Sequence, residues 1–330
     1  MKAIVLAGGY ATRLWPITRH RPKMFLPIGD ATVIDRIFTQ LEADDRIDEV
    51  FVSTNQKFAG HFREYIADSR FEKLTLTVEE TTAETQKLGV VGALAQLVDR
   101  EAIDEDTVVI AGDNLLSFDV GEFVDFFQRA AAPCIAAYDV ETVERASSYG
   151  VVELAGERVT DFQEKPQTPN STLVSIACYG FPAETLDQLE TYLEAGNNPD
   201  EPGWFVKWLQ EREDAFAFTF DDAWFDIGTP ESYLDALAWS LDGRTHVAES
   251  ATVEGATLEE NVQVMADAAV IDTRLEHSVV FPNTTIRDCE IRSSIIDRET
   301  TLTELNLQDA LIGAHTRICN GEGPADPRSD

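Results

Sequence analysis

The segment GGYATRLWPITRHRPKMFLP, from Gly8 to Pro27, opens on paired glycines, carries cations at Arg13, Arg19, Arg21 and Lys23, and contains no carboxylate. Glycines that follow a strand let backbone N–H groups approach a phosphate closely. Fixed positive charge at Arg13 and Lys23 adds to the attraction, so the chemistry this pattern serves is polyphosphate binding. A tight turn flanked by solvated arginines has the same composition. The segment is not a P-loop, because no GxxxxGK occurs, and not a dinucleotide fingerprint, because GGYATR lacks the GxGxxG glycines. A second element is AGDNL, residues 111–115, where an apolar run ends in Gly112 and Asp113. A carboxylate at the carboxyl end of a central parallel strand sits where α/β sheets collect ligands, and its oxygens suit Mg²⁺; a Gly-Asp pair also serves as a plain turn.

The charge distribution strengthens the first of these signals. The 330-residue chain holds 60 acidic and 26 basic residues, a net charge of -34, yet residues 1–29 contain no Asp or Glu and carry Lys2, Arg13, Arg19, Arg21 and Lys23. An anion is therefore expected there. The overall charge opposes nucleic-acid binding. With 7 lysines against 19 arginines and acids in every later segment, the surface suits concentrated salt that screens its charge, and a halophilic source is expected.

Positioning these residues requires a core, and 44% apolar residues supply one. No apolar run reaches the ~18 to 20 residues of a membrane span, and MKAIVLAGGY breaks at its glycines before a signal-peptide core forms, so a cytoplasmic protein without a membrane partner is expected. Cys134, Cys178, Cys289 and Cys319 make no CxxC spacing and read as free thiols. KAIVLA (2–7), EVFVST (49–54), LTLTV (74–78) and TVVIA (107–111) alternate with amphipathic stretches near 33–44, 58–67 and 87–100, which predicts a three-layer α/β domain with a mostly parallel, Rossmann-like sheet. From 133 to 181, consecutive strand-like pieces read as a mixed insert closing over one end of the sheet. Helices near 183–195, 204–212 and 230–241 follow, so the first domain is expected to span 1–241. In 246–318 an apolar residue returns roughly every sixth position, which predicts a short left-handed parallel β-helix of ~18 residues per coil. Residues 319–330 read as a polar tail.

GGYATRLWPITRHRPKMFLP resembles the signature GGxGTRLxPxTxxxPKxxxP of the sugar-1-phosphate nucleotidyltransferases, in particular their glucose-1-phosphate thymidylyltransferase and uridylyltransferase branch. It meets Gly8, Gly9, Thr12, Arg13, Leu14, Pro16, Thr18, Pro22, Lys23 and Pro27, and places Ala11 where the third glycine is usual. The resemblance implies nucleotide binding by Leu6, Ala7, Gly8, Gly9, Thr12 and Arg13, with Arg13 and Lys23 catalytic. AGDNL is similar to the family's LGDN, and WFDIGTPESY (224–233) to its W-x-D-x-G-T element, which implies Mg²⁺ on Asp113 and Asp226; Thr229 and Pro230 also read as a helix start. YGVVEL and FQEKPQTP imply a sugar-phosphate site at Gly150, Glu164, Lys165 and Tyr179, although a Glu-Lys-Pro triplet alone is solvated charge before a turn. In 79–94 the base would be read by Glu80 and Gly89.

The implied reaction joins a nucleoside triphosphate, dTTP or UTP, to glucose-1-phosphate and releases pyrophosphate. Two other classes compete. One is a β-helix acyltransferase using His246, His277 or His315 as base; the other is a non-catalytic sugar-nucleotide sensor, which should have lost motif residues that are all present here. The β-helix is expected to be an assembly surface of a homo-oligomer.

Overall fold

The computed structural model describes residues 1–79 and 88–320. They divide into two compact units. The first is Met1–Gly9 with Val33–Trp224; the second is Tyr10–Thr32 with the chain from Phe225 onward. This division differs from a boundary at 241. Residues 10–32 and the helix Pro230–Leu241 belong with the β-helix because their side-chain and backbone bonds are made to it and to each other: Tyr233 Oη donates to the Pro27 carbonyl at 2.6 Å, and the Gly29 N–H donates to Gln263 Oε1 at 2.9 Å.

The first unit is built on one nine-stranded sheet. Its strands are β1 (Lys2–Leu6), β2 (Glu49–Asn55), β3 (Leu74–Glu79), β4 (Thr107–Ala111), β5 (Cys134–Asp139), β6 (Gly150–Ala155), β7 (Arg158–Glu164), β8 (Leu173–Phe181) and β9 (Phe216–Phe220), arranged β3-β2-β1-β4-β8-β5-β9-β7-β6. The β3-β2-β1-β4 part is parallel, and the chain reverses its direction of travel across the sheet on passing from β3 to β4, which lies on the far side of β1. In open α/β sheets the crevice beyond the carboxyl ends of strands at such a reversal is where ligands bind.

Strand β1 is apolar from Ala3 to Leu6 because both faces of the sheet are covered. On one side, Ile4, Val109, Tyr179 and Phe181 pack with Leu94 and Leu97 of helix Val90–Arg100, and with Phe205 and Leu209 of helix Pro202–Gln210. On the other, Phe123 and Phe126 of helix Val120–Ala130 meet Phe218 of β9 edge to face at 6.0 and 5.8 Å. The strand pieces of 133–181 are not an insert over one end. Strand β8 pairs antiparallel with both β4 and β5 and so extends the same sheet.

The second unit contains the loop 10–32, the helix Pro230–Leu241 and a β-helix of three parallel sheets, the arrangement expected of a left-handed β-helix. Its coil is shorter than the six-residue period suggests. Ala269, Thr285, Thr301 and Arg317 stack in register, 16 residues apart, and only the first step, Thr252 to Ala269, takes 17. The corners explain the difference. Asp267, Asp272, His277, Asn283, Asp288, Ser293, Glu299, Glu304, Asp309 and His315 have positive φ and follow one another at spacings of 5, 5 and 6. One left-handed residue turns each corner, a conformation that Asn and Asp tolerate best, and the sequence supplies them at half of these positions. Val262, Val270, Leu275, Val280, Ile286, Ile291, Ile296 and Leu302 fill the interior, each fully buried and worth about 1.5 to 3 kcal/mol by transfer from water.

Among the described residues no helix is long and apolar enough to cross a membrane. All four cysteines are free, as their spacing predicts; Cys319 is exposed and the others are buried.

Candidate active site

In the first unit, the carboxyl ends of β1, β2 and β4 are tied together by hydrogen bonds. Ala7 N–H donates to the Ser53 carbonyl at 2.7 Å, Thr54 Oγ1 to the Ala7 carbonyl at 3.0 Å, and Asn55 Nδ2 to the Gly8 carbonyl at 2.7 Å. Gly112 N–H donates to the Leu6 carbonyl at 2.9 Å, which sets Asp113 directly beyond the strand ends. Leu6, Ala7, Gly8, Gly9 and Asp113 therefore share the rim of the sheet at its reversal point. Glu79, at the end of β3, lies beside this rim: a Cβ built on Gly8 would lie 2.6 Å from its Oε1, so a side chain there would push the carboxylate aside. Its neighbour Glu80, expected from the sequence to read the base, lies outside the described residues. Gly89, with φ 80°, begins the helix Val90–Arg100.

A second cluster in the same unit surrounds Glu164, the last residue of β7. Its carboxylate lies against Gly150, as the sequence grouping predicted, and against Gly203, where a Cβ would fall 1.6 Å from Oε2. Burial raises the Glu164 carboxyl from 4.5 to about 7; the nearby Glu201 pushes in the same direction and Lys165 opposes it. Lys165 adopts a left-handed conformation with φ 44°, and its ammonium pairs with Glu201. Tyr179 lies one layer deeper. It is 5% exposed, stacks on Phe181 at 5.7 Å, and burial, followed by the charge of Glu164, holds its phenol well above the ordinary range. Trp224 completes the group, with Nε1 donating to Asn114 at 3.2 Å and its ring edge-on to Tyr149 at 5.0 Å. Glu201 and Gly203 escaped sequence reasoning. Their only local signal is Pro202, which marks a helix start and not a site.

The second unit gathers Arg13, Lys23 and Asp226. Ala11 takes the left-handed conformation usual for the glycine it replaces, with φ 49°, and its carbonyl accepts from Leu14 N–H at 3.1 Å and Thr18 Oγ1 at 2.8 Å. This turn starts the single-turn helix Thr12–Leu14 that presents Arg13. A second such helix, Lys23–Phe25, presents Lys23, whose Nζ is 3.9 Å from Asp226 Oδ1 although the lysine is only 9% exposed. Gly228 lies beside both partners: a Cβ there would be 2.8 Å from Arg13 Nη2 and 3.5 Å from Asp226 Oδ1. Thr229 then caps the helix Pro230–Leu241 through a reciprocal bond with Ser232, a device worth about 1 kcal/mol, so the helix-start reading of this segment holds beside the other.

Asp113 belongs to the first unit and Asp226 to the second. Among the described residues, no group of three or more His, Cys, Asp or Glu side chains is disposed to hold a metal. His277 and His315 turn corners of the β-helix, and His246 Nε2 is 3.3 Å from Asp30.

The first unit thus presents a glycine-lined rim at the reversal of a parallel sheet, where open α/β sheets bind ligands, and the second unit by itself gathers arginine, lysine and carboxylate. The chain belongs to the nucleotidyl transferase family, whose model matches residues 2–242. It is 28% identical over 234 residues, 71% of its own length and 61% of the relative's, to a Sulfolobus acidocaldarius protein assigned as a mannose-1-phosphate guanyltransferase. It is 25% identical over 274 residues to the bifunctional protein GlmU of Methanocaldococcus jannaschii, covering 82% of this chain and 60% of that one. The chain thus spans less than two thirds of these relatives. In fold it is similar to a Bacillus anthracis protein assigned as a glucose-1-phosphate thymidylyltransferase and solved in complex with a sucrose, with a TM-score of 0.64 at 23% identity over 73% of this chain and 95% of that one.

Proposed function

We propose that the chain is a sugar-1-phosphate nucleotidyltransferase. The observation that carries this reading is the convergence of Arg13, Lys23 and Asp226 around Gly228. Membership of the nucleotidyl transferase family and the names of the relatives support it.

In the proposed reaction an oxygen of the sugar phosphate attacks the α-phosphorus of the nucleotide in line, one P–O bond forms, and the bond to pyrophosphate breaks. Such a displacement needs positioning and charge neutralisation more than a general base. The N–H groups of the Gly8 and Gly9 rim cradle phosphate oxygens, Arg13 stabilises the leaving pyrophosphate, and Lys23 neutralises charge on the reacting nucleotide. Glu164 receives sugar hydroxyls. Lys165 exchanges its partner Glu201 for the sugar phosphate. Asp113 and Asp226 are each hard oxygen donors of the kind Mg²⁺ takes, and by the resemblance these two carboxylates would hold it. When bound, Mg²⁺ neutralises phosphate charge.

A pyrimidine nucleotide, dTTP or UTP, with glucose-1-phosphate is the preferred pair by the resemblance of the GGYATRLWPIT, AGDNL and DIGTP elements. GTP with mannose-1-phosphate is the second reading, favoured by relatives named as guanyl- or guanylyltransferases in Sulfolobus acidocaldarius and Arabidopsis thaliana. A pyrophosphate-release panel in high potassium chloride, crossing the nucleoside triphosphates with glucose-, mannose-, galactose- and N-acetylglucosamine-1-phosphates, tests both. Release with any pair supports the reaction class; release with none overturns it.

A further inference from the structure

The loop 10–32, which brings Arg13 and Lys23 to Asp226, also makes a row of contacts along one face of the β-helix. That face is the sheet of His246–Val247, Val262–Val264, Ser278–Val280, Ile295–Ile296 and Leu311–Ile312. Gln263, 1% exposed, binds the Gly29 backbone in both directions: Gly29 N–H donates to Oε1 at 2.9 Å, and Nε2 donates to the Gly29 carbonyl at 3.3 Å. One coil further, the Arg21 guanidinium lies 4.7 Å over the ring of Phe281; on the next coil it donates to the carboxylate of Asp297. Beyond the last strand, a Cβ on Gly313 would be 3.0 Å from Pro16.

Asp297 is the fixed point of this row. It is 2% exposed, and its carboxylate accepts from both Arg21 and the Arg298 N–H, the latter at 2.7 Å. Its own N–H donates to the Ile312 carbonyl and its carbonyl accepts from Thr284 Oγ1, both at 2.9 Å. A buried carboxylate held from so many sides has one position, and losing its cation leaves a buried charge unpaired. Arg21 inherits that position. Only Pro22, with its ring-fixed φ of -60°, separates Arg21 from Lys23, so the backbone between the two side chains has little freedom.

We propose that Asp297 is a positioning residue for nucleotidyl transfer. With Gln263 it clamps the loop through Arg21 and Gly29, so that Lys23 and Arg13 stand at Asp226 before substrate arrives. The β-helix is then part of the catalytic apparatus and not only an assembly surface. This inference rests on the reading that Arg13 and Lys23 serve the reaction.

Asp297→Asn keeps the shape and removes the charge. With it belong Arg21→Ala, whose side chain is near the surface, and the double variant. Pyrophosphate release gives kcat and the nucleotide KM, and hydrogen exchange reports the amides of 12–25. The expected result is a fall in kcat of about tenfold or more with KM changed by no more than about threefold, the pattern of lost preorganisation. The double variant should be no worse than either single one. Exchange in 12–25 should accelerate while the strands at 262–264 and 278–280 stay protected. Unchanged kcat in Asp297→Asn, or losses that add in the double variant, overturns the proposal. If Asp297→Asn does not fold, Arg21→Ala alone carries the same test. If the unaltered chain releases no pyrophosphate with any substrate pair, the reaction reading fails, and unchanged exchange in 12–25 then separately overturns the clamp.

Discussion

The guanidinium of Arg13 occupies the space in which a side chain on Gly228 would begin, with Nη2 2.8 Å from the position of a Cβ. A methyl group at Gly228 would therefore require the guanidinium to move. Gly228→Ala should leave the fold intact, since the end of a flexible side chain yields more easily than backbone, yet it should displace the guanidinium. Turnover is expected to fall by about 10² at saturating nucleotide, the scale of one preorganised charge. Arg13→Ala should fall by the same amount, and the two changes together should do no further harm. Steady-state pyrophosphate release and thermal melting check this; wild-type turnover in either variant removes Arg13 from the reaction.

Gly203 stands in the same relation to Glu164, whose Oε2 would be 1.6 Å from an added Cβ. Gly203→Ala should push the carboxylate off its seat and raise the KM for sugar phosphate by about tenfold, with less effect on the KM for nucleotide, because the altered contact is made to only one substrate. Equal effects on both KM values would show that Glu164 does not serve the sugar.

The same carboxylate gives the protein a pH dependence of known sign. Glu164 has an ordinary value of 4.5 and is raised to about 7 by burial, with Glu201 adding to the shift. Between those values the folded chain holds a proton that the unfolded chain has released. The contribution to stability is therefore fully present below pH 4.5 and is lost as the pH rises through about 7. Glu164→Gln cannot lose it. The melting temperature of the variant minus that of the unaltered chain should increase from pH 4.5 to 8, measured without ligand at fixed salt; a constant difference would mean that the carboxyl titrates normally.

The strands and most helices are legible in the sequence because their signals are local. KAIVL, TVVIA and LVSIACYGF are apolar runs, and PESYLDALAWSL begins at a proline and a capping threonine. The grouping of Gly150 with Glu164 was legible through motif resemblance, and the structure brings them together. What could not be read depends on partners distant in sequence. Nothing near Asp297 distinguishes it from the many acids of this chain until Arg21 lies beside it, and Glu201 and Gly203 acquire meaning only when Glu164 folds against them. The coil length is hidden in the sequence for a different reason. Corners spaced 5, 5 and 6 keep an apolar residue near every sixth position for one side and then slip, so a strict hexad hides a turn of 16.

Ala11 occupies a left-handed conformation at φ 49° and ψ 45°, which costs an L-residue with a Cβ roughly 1 to 2 kcal/mol. Glycine avoids that cost but loses more entropy on folding, about 0.5 to 1 kcal/mol. Ala11→Gly should therefore stabilise the chain slightly, by about 1 kcal/mol or less, visible as a small rise in melting temperature. Ala11→Val should do the opposite, because a β-branched side chain is less tolerant of positive φ. A destabilised Ala11→Gly would indicate that the methyl group makes a contact worth more than the backbone strain.

The metal assignment has the most direct test. Asp113 follows the Gly112 N–H bond to Leu6 at the reversal point of the sheet, so its place is set by the two central strands and not by a loop. Asp113→Asn preserves that bond and the side-chain shape while removing the charge that a hard dication requires. The variant should fold normally and bind sugar phosphate normally. Its Mg²⁺ requirement should rise by at least about tenfold and its turnover fall by about 10² or more, as expected when a metal that neutralises phosphate charge is no longer held. Titrating Mg²⁺ in the pyrophosphate-release assay measures the first effect. Calorimetric titration of Mg²⁺ into the nucleotide complex measures it without relying on turnover. If Asp113→Asn keeps both its Mg²⁺ affinity and its rate, the cation is held by other oxygens and Asp113 is only the turn that a Gly-Asp pair often makes.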